Sequence, residues 1–112
     1  MKLIVAIVQP HRIDEVKEKL RAMGVTGMTV SEVRGAGRQK GHKETFRGSE
    51  YQVEFIPKIK VEVVVQDGKA EECVDTIINA AYTGRIGDGK VFISDIQDVV
   101  RIRTKERGES AL

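Results

Sequence analysis

The 112 residues predict an α+β sandwich in the order β-α-β-β-α-β. Three patterns carry that expectation. Residues 3–8 form an unbroken apolar run, Leu-Ile-Val-Ala-Ile-Val. Two stretches, near 13–23 and 71–81, repeat apolar residues at three- and four-residue spacing. Residues 58–65 alternate with period two.

The apolar run at 3–8 stops at Gln9-Pro10 and reads as a strand buried on both faces. In the first helix Ile13, Val16, Leu20 and Met23 share a stripe, Asp14 and Glu15 sit at the positive end, and Gly24 closes it. Residues 29–34 make the second strand. In the third, Ile59, Val61, Val63 and Val65 share one face, and Lys58, Lys60, Glu62 and Val64 the other. Asp67-Gly68 turns the chain into a second helix, whose stripe is Cys73, Val74, Ile77, Ile78 and Ala81, with Glu71 and Glu72 in its first turn. Residues 91–93 form the fourth strand. A tail strand follows, in which Val100 and Ile102 alternate with Arg101, Arg103 and Lys105; the C-terminal tail is about 104 to 112, and the chain is expected to fray after Glu106. This is the split βαβ, ferredoxin-like arrangement, with both helices on one face of an antiparallel sheet. Strand one is apolar on both faces, and Val64 and Phe92 point to the uncovered one. A second copy of the sheet is the simplest cover, which predicts a homo-oligomer.

The length sets a single domain, 1–112. Nineteen basic residues nearly balance 17 acidic ones, net +2, so charge alone marks no nucleic-acid surface. The lone Cys73 falls in a helical apolar pattern, which excludes an internal disulfide and fits a reducing compartment. The amino-terminal run is too short to span a bilayer and has no cleavage site, so a soluble cytoplasmic protein is expected.

Between strands two and three lies a stretch with neither period, expected to be a long flexible loop from about 36 to 54. It carries Gly35, Gly37, Gly41 and Gly48 beside Arg38, Lys40, Lys43 and Arg47. Loops of this length inside a compact domain are uncommon and often functional. A second glycine-rich stretch, 84–90, fits Gly-x-x-x-x-Gly-Lys. It is not a true P-loop, because Val91 replaces the magnesium-binding Ser or Thr and the stretch leaves a helix to enter a strand. Its glycines still let backbone N–H groups approach an anion, with Arg85 and Lys90 supplying charge. Arg101 and Arg103, two apart on the expected tail strand, would present both guanidinium groups from one face to successive phosphates. No catalytic constellation appears: the histidines are His11 and His42 alone, and no Ser or Cys is paired with a base. An enzyme is not expected.

The residues now resemble a known family, the PII nitrogen-signalling proteins, over essentially the whole length. The match lies in 83–93 (TGRIGDGKVFI), 46–51 (FRGSEY), 35–42 (GAGRQKGH) and 101–104 (RIRT). The resemblance implies a ferredoxin-like homotrimer that senses ATP or ADP in clefts between subunits and 2-oxoglutarate beside Mg-ATP at the loop base. It places Gly87, Asp88, Gly89 and Lys90 around the nucleotide, with Lys90, Arg101 and Arg103 on phosphates. It places Thr29, Gly35, Glu62, Val64 and Thr83 around the base and sugar. Gln39 would hold magnesium and 2-oxoglutarate, Lys58 a carboxylate, and the backbone of Gly37, Arg38, Lys40 and Gly41 would complete the pocket. Tyr51 matches a tyrosine modified by a uridylyltransferase and Ser49 a phosphorylated serine. Arg47 matches an arginine inserted into an ammonium-transporter pore. Nitrogen-assimilation enzymes and regulators are the other implied partners, with no nucleic acid and with membranes reached only through a partner.

Four positions depart from the family pattern: Ala36 stands where Phe is common, Gln9 where a basic residue is frequent, His11 where an aromatic is usual, and Phe46 where the loop has Tyr. Two other readings compete. An RNA-binding ferredoxin-like module needs aromatics on the third strand, where Lys58, Lys60, Glu62 and Val64 stand instead. A small nucleotide-hydrolysing enzyme would need a base, for which only Asp88 or Glu62 offers itself.

Overall fold

The computed structural model describes residues 1–36 and 55–112. The expected order is present: β1 (Lys2–Val8), α1 (Ile13–Ala22), β2 (Thr29–Gly35), β3 (Ile56–Val65), α2 (Ala70–Ala81) and β4 (Lys90–Asp95). The four strands form one sheet in the order β2-β3-β1-β4, and every pairing is antiparallel. The expected 36–54 loop falls almost wholly outside the described residues.

Strand register decides what each face does. Ile4 lies opposite Val63 and Ile93, and Ala6 opposite Val61 and Val91. Because side chains alternate across a strand, Ile4, Ala6, Val8, Val61, Val63 and Val65 share one face, and none is more than 6% exposed. That face is closed by Val16 and Leu20 of α1 and by Cys73 and Ile77 of α2. The other face carries Leu3, Val5 and Ile7, which are only partly buried, together with Val64 and a half-exposed Phe92. No layer of the chain's described residues seals it as the helices seal the first.

Local chemistry explains the helix boundaries. α1 stops at Gly24, which adopts φ +96°, while Val25 N–H reaches back to the Leu20 carbonyl at 3.0 Å, the six-residue C-terminal loop that favours glycine. Arg12, just before α1, donates twice to the Ala80 carbonyl at 2.9 and 2.6 Å, joining the start of one helix to the end of the other. Among the described residues, no helix is long and apolar enough to cross a membrane.

Three expectations change here. Ile78, assigned to the apolar stripe of α2, is 46% exposed, and Ala70 and Ala80 are buried instead. The buried face of α2 is therefore rotated from the expected stripe toward Ala70 and Ala80. The tail strand is absent. Val100 bridges to Arg107, and a tight turn separates them, with Lys105 N–H bonded to the Arg101 carbonyl at 2.8 Å and Arg101 N–H to the Glu106 carbonyl at 2.9 Å. Nor does the end fray: Gly108–Ala111 forms a short 3-10 turn with Ala111 buried. Asp98 anchors it, accepting from Gly108 N–H at 3.1 Å and from Arg107 at 2.8 Å.

Candidate functional site

α2 ends when Tyr82 turns extended, at φ −67° and ψ 129°. The chain then crosses to β4 through the glycine-rich turn, and Asp88 organises that turn from inside. Its carboxylate accepts the Thr83 N–H at 2.8 Å, the Gly84 N–H at 2.9 Å and the Thr83 hydroxyl. The Thr83 oxygen in turn accepts from Arg85 N–H at 3.2 Å. The Thr83 hydroxyl above all, joined by the Thr83 and Gly84 amides and the Gln9 side chain, holds Asp88 at a pKa of about 2 against the opposing effect of burial, which outweighs either amide alone. Such a carboxylate is a poor proton acceptor at neutral pH, which weakens the case for Asp88 as a hydrolytic base.

Glycine is required by geometry at the last step. Gly89 has φ +100°, and a Cβ placed there would lie 1.7 Å from the Ile7 carbonyl oxygen of β1. Gly87, at φ +107°, supplies the preceding reversal. The turn is therefore pressed against the end of β1 at Gly89 and closed on itself at Asp88.

Between this turn and the start of β3 opens a cavity of about 680 Å³. Lys58 and Lys90 reach its wall from β3 and β4, and Arg85 from the turn. Ala36, beside the 37–54 segment, and Gly35 close another side. Lys58 donates its ammonium to the Gly87 carbonyl at 2.6 Å, a short charge-assisted bond that crosses the cavity wall. The chemistry on offer is that of an anion site: several cations, small residues that permit close approach, and an apolar wall of Ile7, Ile56, Ile86 and Phe92 suited to a flat or aliphatic body.

Six of the sequence-selected residues meet there: Gly35, Lys58, Gly87, Asp88, Gly89 and Lys90. Thr83 acts one step behind, through Asp88. Thr29 and Glu62 face one another on β2 and β3, and Val64 lies opposite Leu3, but none of the three lines the cavity. The Arg pair needs correction. Arg101 and Arg103 do not share the face of a strand, because the segment is a turn, and the Arg101 guanidinium is taken up by Glu106 at 3.0 Å and the Leu112 carbonyl at 3.2 Å. Gly37, Arg38, Gln39, Lys40, Gly41, Arg47, Ser49 and Tyr51 lie outside the described residues. The apolar wall was missed in the sequence. Ile86 was its available signal, a large apolar residue inside a glycine-rich turn and 53% exposed.

Comparison with known proteins follows the same outline. The sequence model of the family described as Nitrogen regulatory protein P-II matches residues 1–106. The chain is similar to Nitrogen regulatory protein P-II 1 of Escherichia coli, at 55% identity over 112 residues and the full length of both. It is similar in the same way, at 54% identity and full length of both, to Nitrogen regulatory protein P-II of Pasteurella multocida. Its fold is similar to the crystal structure of Arabidopsis thaliana PII bound to citrate, with a TM-score of 0.82 and 41% identity, covering 99% of this chain and 91% of that one.

Proposed function

This chain belongs to the nitrogen regulatory protein P-II family, and from that premise we propose that it is a cytoplasmic sensor of nitrogen and energy state that binds ATP or ADP and, with Mg-ATP, 2-oxoglutarate. The family is a regulatory one by the names its relatives carry. The observation that carries the finer reading is the convergence of Lys58, Arg85, Lys90 and the Asp88-closed glycine turn on one cavity beside Ala36. In this reading Gly87, Gly89 and Lys90 receive the phosphates, and Asp88 and Thr83 keep the turn in shape to do so. Lys58 receives a carboxylate of 2-oxoglutarate. That the Arabidopsis relative is bound to citrate fits a family site open to small carboxylic acids.

The rest of the nucleotide site is proposed to come from a neighbouring copy in a homotrimer. Thr29, Glu62 and Val64 sit on or beside the uncovered sheet face and, with Arg101 and Arg103, would complete the cleft across the interface. Arg101 must then leave Glu106 to meet a phosphate. Magnesium would ride on phosphate oxygens and Gln39, with hard oxygen ligands as this ion prefers. Among the described residues, no group of three or more His, Cys, Asp or Glu side chains could hold a metal ion. The 36–54 loop would carry the output. The backbone of Gly37, Arg38, Lys40 and Gly41 would complete the 2-oxoglutarate pocket at its base, Arg47 would engage an ammonium transporter, and Tyr51 or Ser49 would be modified. Nitrogen-assimilation enzymes or regulators are the other partners. Ligands that prefer one loop arrangement would shift its population and so change what partners meet.

A calorimetric titration of 2-oxoglutarate with and without Mg-ATP tests this. Binding only with Mg-ATP is expected. ATP binding without any 2-oxoglutarate binding would reduce the protein to an adenylate sensor.

A further inference from the structure

We propose that Lys58 is a positioning residue for the glycine-rich turn: its ammonium fixes the Gly87 carbonyl, and any carboxylate that engages Lys58 acts on the turn through that bond. The ligand half of this rests on the function proposed above, whereas the tether itself does not.

The turn is held at three points of different kinds. Its first half is closed by Asp88 on the Thr83 and Gly84 amides. Its exit is pinned where Gly89 touches the Ile7 carbonyl of β1. Between them sits Gly87, at φ +107°, a residue whose backbone rotates at little steric cost. Its carbonyl is met by Lys58 from β3, 29 residues away in sequence, at 2.6 Å and partly shielded from water. Because a peptide is planar, fixing that carbonyl also fixes the direction of the Asp88 N–H on the other side of the same unit. The side chain expected to meet one ligand thus sets the backbone expected to meet the other. A lysine ammonium is a point charge on a long stem, so a carboxylate beside it draws it to a new position or replaces the carbonyl outright. Either movement changes the peptide at 87–88. Coupling between the two ligands would follow with equal strength in both directions.

The experiment is solution NMR on the intact protein, comparing the parent with Lys58→Met and Lys58→Arg. Without ligand, Lys58→Met should move the Gly87 carbonyl carbon resonance and speed hydrogen exchange at the Thr83 and Gly84 amides about tenfold. The amides of Val61 and Val63 should keep their exchange rates, which shows the sheet intact. Lys58→Arg, which retains a cationic donor, should restore most of the parent's pattern. If the Gly87 carbonyl and both amides behave in Lys58→Met as in the parent, the tether is overturned. A second arm adds 2-oxoglutarate and Mg-ATP to the parent, and the Gly87 carbonyl should move in step with occupancy. Binding without that movement would overturn the coupling. Failure of 2-oxoglutarate to bind, with the first arm positive, would leave the tether standing and remove the effector reading instead.

Discussion

The glycine-rich turn at 83–90 and the basic tail turn at 100–107 look alike in sequence, since both are short, cation-bearing and without helical period, yet they settle their charges in opposite ways. In the turn an internal carboxylate, Asp88, takes backbone amides, and Arg85 and Lys90 reach the cavity wall. In the tail Glu106 takes a guanidinium, that of Arg101, and a threonine hydroxyl. In the turn the carboxylate is taken up by backbone amides while Arg85 and Lys90 line the cavity, whereas in the tail the carboxylate takes up the Arg101 cation. The difference teaches that a count of cations says little about an anion site until the partner of each nearby carboxylate is known.

The sharpest way to break the comparison is Gly89→Ala. A Cβ there meets backbone rather than a movable side chain, and the positive φ adds strain, so a loss of about 3 kcal/mol is expected by chemical denaturation. A loss below about 1 kcal/mol would mean that the turn is not pressed against β1. Asp88→Asn should come next, at about 1 to 2 kcal/mol, the usual range for losing a carboxylate that caps backbone amides. This one carries a pH signature. The folded pKa, about 2, lies below the unfolded value, so Asp88's contribution is fully present above about pH 4 and is lost as pH falls toward 2. Parent and variant should therefore converge in stability at the acid end. A gap that persists unchanged at pH 2 would assign the effect to something other than ionisation.

The tail should respond weakly. Glu106→Gln removes an ion pair in which both side chains are more than two-fifths exposed, and the loss should stay under about 1 kcal/mol. A larger loss would make the tail a structural brace comparable to the turn. Lys105→Gly is expected to gain stability, by roughly 0.5 kcal/mol, because Lys105 is a non-glycine residue at φ +64°. Unchanged or lower stability would show that its side chain offsets the strain.

Much of this was legible because period and burial agree. The alternation of Ile59, Val61, Val63 and Val65 could place those side chains on only one face, and Val61, Val63 and Val65 are buried together. Helix α1 was marked by its stripe and by Gly24, whose positive φ is what a helix end asks of glycine. The cavity was half legible. Gly87, Gly89 and Lys90 belonged to one motif, but Lys58 came from another strand, and no local pattern could seat it against Gly87. The Arg101 and Arg103 reading failed because alternation of apolar and charged residues is shared by a strand and by a short bridged turn. A choice between them needs Asp98 and Glu106, whose contacts with Arg107 and Arg101 form only once the chain doubles back.

By itself, then, the sequence determined the order of elements, the face each strand buries, and the glycine that ends α1. These depend on side-chain period and backbone sterics, which act within a few residues. Tertiary structure alone decided that Lys58 meets the Gly87 carbonyl and that Arg101 is held by Glu106. Those outcomes depend on which charges meet after strands pair and the tail folds back, and pairing at that range has no periodic trace in the chain.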